Sequence, residues 1–206
     1  MAAIVVSHGY GADDQSIWLP YLRGALEELG HDVHIPRLPN SSDPDARAWR
    51  GVLAERVAGL SAVDTVLVGH SIGAVNVLRV LEGHEGGAFA GVVLVAAPAW
   101  LPPGYESLAG FFAEPFDWPA LRRAARHYRV LTALDDPVLM PRPVDHVAEL
   151  VSGLGATAVV TAAGAHFGAT PDDHIELPRA VRLVLECLAD EPDVTASLVV
   201  QDLGDR

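Results

Sequence analysis

Six short runs of apolar, mostly β-branched residues (2–6, 33–35, 63–68, 92–96, 130–134 and 157–161) alternate along the chain with longer stretches of helical spacing. Strands that are apolar on both faces and alternate with helices pack as a parallel sheet covered on both sides. In residues 17–29, Trp18, Leu22, Leu26 and Leu29 fall on one 3.6-residue face, and Gly30 stops the pattern. In residues 44–60, Trp49, Val52, Leu53 and Val57 do the same. Further helices are predicted at 71–81, around 120–128, at 144–154 and at 175–188. The expectation is an α/β protein: a mostly parallel sheet of about six strands with helices on both faces. A chain of 206 residues buries roughly 70% of its unfolded surface and forms one real core. The spacing gives one domain over 1–189. An acidic tail at 190–206, built around Leu198, Val199 and Val200, reads as a disordered extension or an added edge strand.

Charge narrows the partners. There are 27 acidic against 14 basic residues, for a net charge of -13, and every basic residue is Arg. Such a surface repels nucleic acid and anionic lipid, which leaves a small-molecule substrate as the expected partner. No stretch approaches the roughly 18 apolar residues of a membrane span, and the N-terminus lacks the basic region of a signal peptide. The single cysteine, Cys187, sits in a helical apolar run and reads as a small core residue. Together these features predict a cytoplasmic protein.

Chemistry concentrates at one junction. Val66-Leu67-Val68-Gly69-His70-Ser71-Ile72-Gly73-Ala74 reads G-x-S-x-G between a strand and a helix, the context a nucleophile elbow requires. The turn is sharp enough that the serine backbone is strained and its hydroxyl exposed, while the glycines let neighbouring backbone approach. A serine needs a base, and the base needs an acid to orient it. After Ser71, strand ends carry Asp135-Asp136-Pro137 and then Gly164-Ala165-His166-Phe167-Gly168. Serine, carboxylate and histidine thus follow in the order of that fold. Oxyanion donors are expected from the backbone N–H groups of Ile72 and of Tyr10, in the loop after the first strand.

Rival readings are weaker. Gly9-Tyr10-Gly11 follows a strand, but Asp13 and Asp14 would repel a pyrophosphate. His31 and His34 point to opposite faces of a strand, and Asp172, Asp173 and His174 read as a helix cap. His127 and His146 fall in helical segments, as surface or partly buried residues. No metal and no cofactor are expected. His8 and His70 flank the pocket as hydrogen-bonding and loop-shaping residues. The proline- and aromatic-rich stretch 97–128, with Trp100, Tyr105, Phe111, Phe112, Phe116 and Trp118, is expected to shape the acyl pocket, and Trp100, Phe111 and Phe112, together with Phe167, are the remaining substrate-pocket candidates.

The opening His8-Gly9, Ser16-Ile17-Trp18-Leu19-Pro20-Tyr21-Leu22, Pro36-Arg37-Leu38-Pro39, Trp49, the elbow, Phe116-Asp117-Trp118, Asp135-Asp136-Pro137 and Gly164-Ala165-His166-Phe167-Gly168 form a combination. It resembles the small α/β-hydrolase (serine hydrolase) family typified by retinoblastoma-binding protein nine and the bacterial YdeN proteins. The resemblance runs over residues 4–188. It implies a single-domain α/β-hydrolase fold without a large lid domain, and a triad of Ser71, Asp136 and His166. The expected activity is cleavage of a small-molecule ester, thioester or amide through an acyl-serine intermediate. Acyl transfer or cyclisation with the same residues, or a weakly catalytic scaffold, are the alternatives.

Overall fold

Alternation along the first strand sets the architecture. In β1 (Ala3–Ser7), Ile4 and Val6 join one apolar layer while Val5 joins the layer on the opposite face. The computed structural model describes residues 1–168 and 175–189. It adds β2 (Asp32–His34), β3 (Thr65–His70), β4 (Gly91–Val95), β5 (Tyr128–Ala133) and β6 (Thr157–Thr161), all paired in parallel in the order β2-β1-β3-β4-β5-β6. β3 and β4 are buried at every position, as continuous apolar runs at the centre of a covered parallel sheet should be.

Six helices cover the two faces: α1 (Leu19–Glu28), α2 (Ala46–Val57), α3 (Ile72–Glu82), α4 (Trp118–Ala124), α5 (Pro143–Leu154) and α6 (Pro178–Leu188). Trp18, Leu19, Leu22 and Leu26 from α1 and its start pack with Leu183, Val184 and Cys187 of α6 under one face. Leu53, Val77, Leu78, Leu121 and Leu150 bring α2, α3, α4 and α5 against the other. Burial of each such side chain stabilises the fold by about 1.5–3 kcal/mol, so the faces are strongly specified. Trp49, Ile72, Val75, Leu108 and Phe111 form a third cluster, between α2, α3 and a 3-10 helix at Glu106–Phe112.

One helix differs from the sequence expectation of 120–128. α4 starts at Trp118, where the Asp117 carboxylate accepts the Ala120 N–H at 2.9 Å, and ends at Ala124. Ala125 is extended and bridges to Phe89, so sheet pairing stops the helix and Tyr128 already opens β5. His127 therefore lies in the connection and not in a helix. The acidic tail and the Asp172, Asp173, His174 cluster lie outside the described residues. Among those described, no helix is long and apolar enough to cross a membrane.

The order of strands reverses direction between β1 and β3. In open α/β sheets such a switch point leaves a crevice at the carboxyl ends of the strands, where ligands bind. Ser71 follows β3, and the His8–Tyr10 loop follows β1.

Candidate active site

Ser71 occupies φ 55° and ψ −127°, left-handed backbone that a side chain rarely adopts. Such a conformation costs on the order of 1–3 kcal/mol and persists only where its surroundings hold it. The hold is visible. The Ser71 N–H donates to Val95 O at 2.9 Å, continuing the β3–β4 ladder past its last residue. A Cβ at Gly69 would fall on the Ala74 backbone, and one at Gly73 on the carbonyls of Ser7 and His8. Only glycine fits at either place, so the G-x-S-x-G spacing is a steric requirement of the turn. Ile72 is the first residue of α3, and its N–H has no intrahelical acceptor.

The loops after β5 and β6 deliver the other groups. His166 Nε2 accepts from the Ser71 hydroxyl at 2.8 Å, and its Nδ1–H donates to Asp136 Oδ2 at 2.8 Å. Asp136 is 3% exposed, and its second oxygen accepts the N–H groups of Val138 (2.8 Å) and Leu139 (3.2 Å). Both carboxylate oxygens are thereby directed. Asp135 does not meet the imidazole; its Oδ1 accepts the Ala165 N–H at 2.8 Å and braces the histidine loop. Nothing in the spacing signalled that bracing role.

Three other histidines, His8, His70 and His146, are buried near these loops. His70 Nε2–H donates to the His166 carbonyl at 2.9 Å. Burial, and then the nearby His166, push its pKa down to about 3. Burial also lowers the pKa of His8 and of His146. His8 accepts the Leu38 N–H on Nε2 at 3.2 Å and donates from Nδ1 to Gly9 O at 3.0 Å, so it ties the loop after β1 to the loop after β2.

A cavity of about 250 Å³ opens above Ser71, lined by Tyr10, Ile17, His70, Ile72, Pro102, Tyr105, Leu108, Val138, His166 and neighbouring small residues. Of the pocket candidates, only His70 lines it. His8 lies behind the loop, edge-on to Trp49. Phe167 turns into the core, where its carbonyl accepts the Trp18 indole N–H at 3.0 Å. Phe111 is 1% exposed and packs on Trp49 at 5.6 Å. Trp100 and Phe112 line a separate groove of about 540 Å³. Trp100 is held there by stacking on His146 at 3.9 Å. His146, expected at or near the surface, is fully buried: it accepts the Ala99 N–H at 3.0 Å and donates to Met140 O at 3.1 Å. Phe111 and Phe167 fill core volume, Trp100 and Phe112 line the separate groove, and of the aromatics in the 97–128 stretch Tyr105 lines the cavity. The lining contributions of Pro102, Leu108, Val138 and Ile17 were missed; Pro102 and Leu108 stood in that stretch, while Ile17 and Val138 carried no sequence signal.

Known proteins share this architecture. The chain is 28% identical to the hydrolase YdeN of Bacillus subtilis (strain 168) over 165 residues, which span 80% of this chain and 85% of that protein. It is 25% identical to the serine hydrolase RBBP9 of Rattus norvegicus over 149 residues, 72% of this chain and 78% of that one. The crystal structure of the ydeN gene product from B. subtilis superimposes with a TM-score of 0.86 at 26% identity, covering 92% of this chain and 100% of that chain. A hydrolase of the α/β superfamily from Xanthomonas campestris, 20% identical, shares the fold with a TM-score of 0.65 over 91% of this chain and 98% of that one. The architecture is the single-domain α/β-hydrolase fold, with six parallel strands. The family description that matches residues 4–186 is that of serine hydrolases, and to that family this chain belongs.

Proposed function

We propose that this serine hydrolase cleaves an ester, thioester or amide of a compact, uncharged small molecule through an acyl-Ser71 intermediate. The observation that carries this reading is the pair of 2.8 Å hydrogen bonds that run from Ser71 through His166 to Asp136. Ser71 Oγ attacks the carbonyl carbon while His166 Nε2 takes the hydroxyl proton. The tetrahedral oxyanion is met by the N–H groups of Ile72 and Tyr10. His166 then hands the proton to the departing alkoxide, thiolate or amine as the bond to the acyl carbon breaks. Water repeats the sequence on the acyl-enzyme and releases the acid. Asp136 keeps Nδ1 protonated, so that Nε2 stays an acceptor until it takes the proton.

Cavity size and lining support the substrate class. At about 250 Å³ the cavity lies below the range of about 300–1,000 Å³ typical of drug-sized ligands, which suits a compact acyl group. Among the described residues its lining is mostly apolar and aromatic, with the Tyr10 and Tyr105 hydroxyls, His70, Ser71 and His166 as its polar side chains, and includes no carboxylate, Arg or Lys. An ionised substrate would lose hydration there with no opposite charge in return from the described residues.

The test is labelling by a fluorophosphonate together with a series of p-nitrophenyl esters from acetate to decanoate. Wild-type protein is expected to label and to turn over short and medium esters, and Ser71→Ala to do neither. Equal ester hydrolysis by Ser71→Ala would overturn the reading.

A further inference from the structure

We infer that Arg79, far from the chemistry, is a positioning residue that sets which acyl groups the cavity accepts. The inference rests on the serine-hydrolase reading of Ser71 given above. Arg79 lies eight residues after the nucleophile on the elbow helix α3, roughly 12 Å along its axis at 1.5 Å per residue. Its side chain is only 12% exposed.

The guanidinium is held at all three nitrogens. Nε donates to Phe111 O at 3.0 Å, near the end of the 3-10 helix, where backbone carbonyls lack helical partners. Nη1 donates to both Glu82 oxygens at 3.0 and 2.8 Å and to Pro115 O at 3.4 Å, while Nη2 donates to Glu114 O. The same group sits 4.2 Å over the Phe116 ring. Glu82 in turn accepts the Asp117 N–H at 2.9 Å.

This hub matters because of what it holds. Among the described residues, every hydrogen bond that ties residues 102–116 to the rest of the chain is donated by Arg79. That segment supplies Pro102, Tyr105 and Leu108 to the cavity wall. Leu108 and Phe111 adhere through apolar contact with Trp49, Ile72 and Val75, and such contact is non-directional. Orientation therefore comes from the planar fork of Arg79. Lysine, a point charge on a flexible stem, cannot make this set of bonds.

The experiment compares Arg79→Lys and Arg79→Met with wild type on p-nitrophenyl acetate, on the longest ester wild type accepts, and in fluorophosphonate labelling. Both variants are expected to lose about tenfold or more in kcat/KM on the long ester, mainly through KM, while acetate kcat and the labelling rate stay within about threefold. Should Arg79→Met fail to fold, Arg79→Lys, which keeps the charge and the stem, decides the comparison alone. An unchanged chain-length profile, or equal losses on both esters, overturns the inference while leaving the wild-type activity in place. A wild type that neither turns over any ester nor labels overturns the reading of Ser71, and this inference with it.

Discussion

Asp135 and Ala165 are joined across two loops: the Asp135 carboxylate accepts the Ala165 N–H at 2.8 Å, one residue before the histidine. Its neighbour Asp136 takes the His166 ring itself at 2.8 Å. Two adjacent carboxylates leaving β5 thus hold the same loop in different ways, one by its backbone and one by its imidazole.

This division ranks the two substitutions. Asp136→Asn presents an amide to Nδ1 and favours the wrong imidazole tautomer, so kcat on an ester should fall by about 10⁴, as the equivalent change does in a serine protease. Asp135→Asn keeps an oxygen for the Ala165 N–H and should cost far less, with Asp135→Ala between the two. Steady-state rates on one ester, with circular dichroism to confirm folding, give the ranking. Equal losses for the two asparagine variants would remove the distinction.

The strained backbone at Ser71 makes a second, opposite pair. At φ 55° a glycine is at ease where serine and alanine are not. Ser71→Gly should raise stability over Ser71→Ala by about 1 kcal/mol, even though glycine gives the unfolded chain more freedom. Neither variant should react with the fluorophosphonate. A urea midpoint for Ser71→Gly below that of Ser71→Ala would show that the elbow stores no strain.

The parts of this molecule that could be read in the sequence are those where one residue type answers one physical demand. Gly69 and Gly73 had to be glycine for backbone to pass, and the apolar runs had to be strands covered on both faces. Hydrogen-bonding serine, carboxylate and histidine fell at strand ends in one order. The wall of the cavity obeyed no such rule. Ile17 and Val138 line it only because of where loops cross, while Phe111 and Phe167, the more obvious candidates, fill core volume. The bracing by Asp135 and the hub at Arg79 depend on backbone carbonyls and amides brought together by tertiary structure, which no local pattern encodes.

Acyl-length preference should therefore follow the wall that is seen. Val138 lines the cavity, and its contact with Asp136 is through its backbone N–H. Val138→Phe should exclude longer esters and leave acetate turnover nearly unchanged, and Val138→Ala should shift the optimum to longer chains. Phe112→Ala, in the separate groove, should leave the profile where it is. A profile that moved with Phe112 and not with Val138 would place the acyl group outside the cavity at Ser71.

Mild acid should weaken the fold through its buried histidines. His70 is held at a pKa of about 3 by burial and by His166, against an ordinary value of 6.5, and burial also lowers His8 and His146. Between the folded and unfolded pKa values the unfolded chain binds the proton and the folded chain does not, so stability rises with pH through this window and is complete above it. For His70 the window runs from about 3 to 6.5. Lowering the pH from 7 to 5 should remove about 2 kcal/mol through this residue alone, with losses of the same sign from the other two. Urea midpoints at pH 7, 6 and 5 should fall steadily for wild type. Replacing the imidazole with a group that does not titrate, as in His70→Asn, should flatten that slope even if the midpoint at pH 7 is lower. A wild-type midpoint that held constant from pH 7 to pH 5, or a His70→Asn slope as steep as that of wild type, would mean that His70 takes up its proton without unfolding the protein.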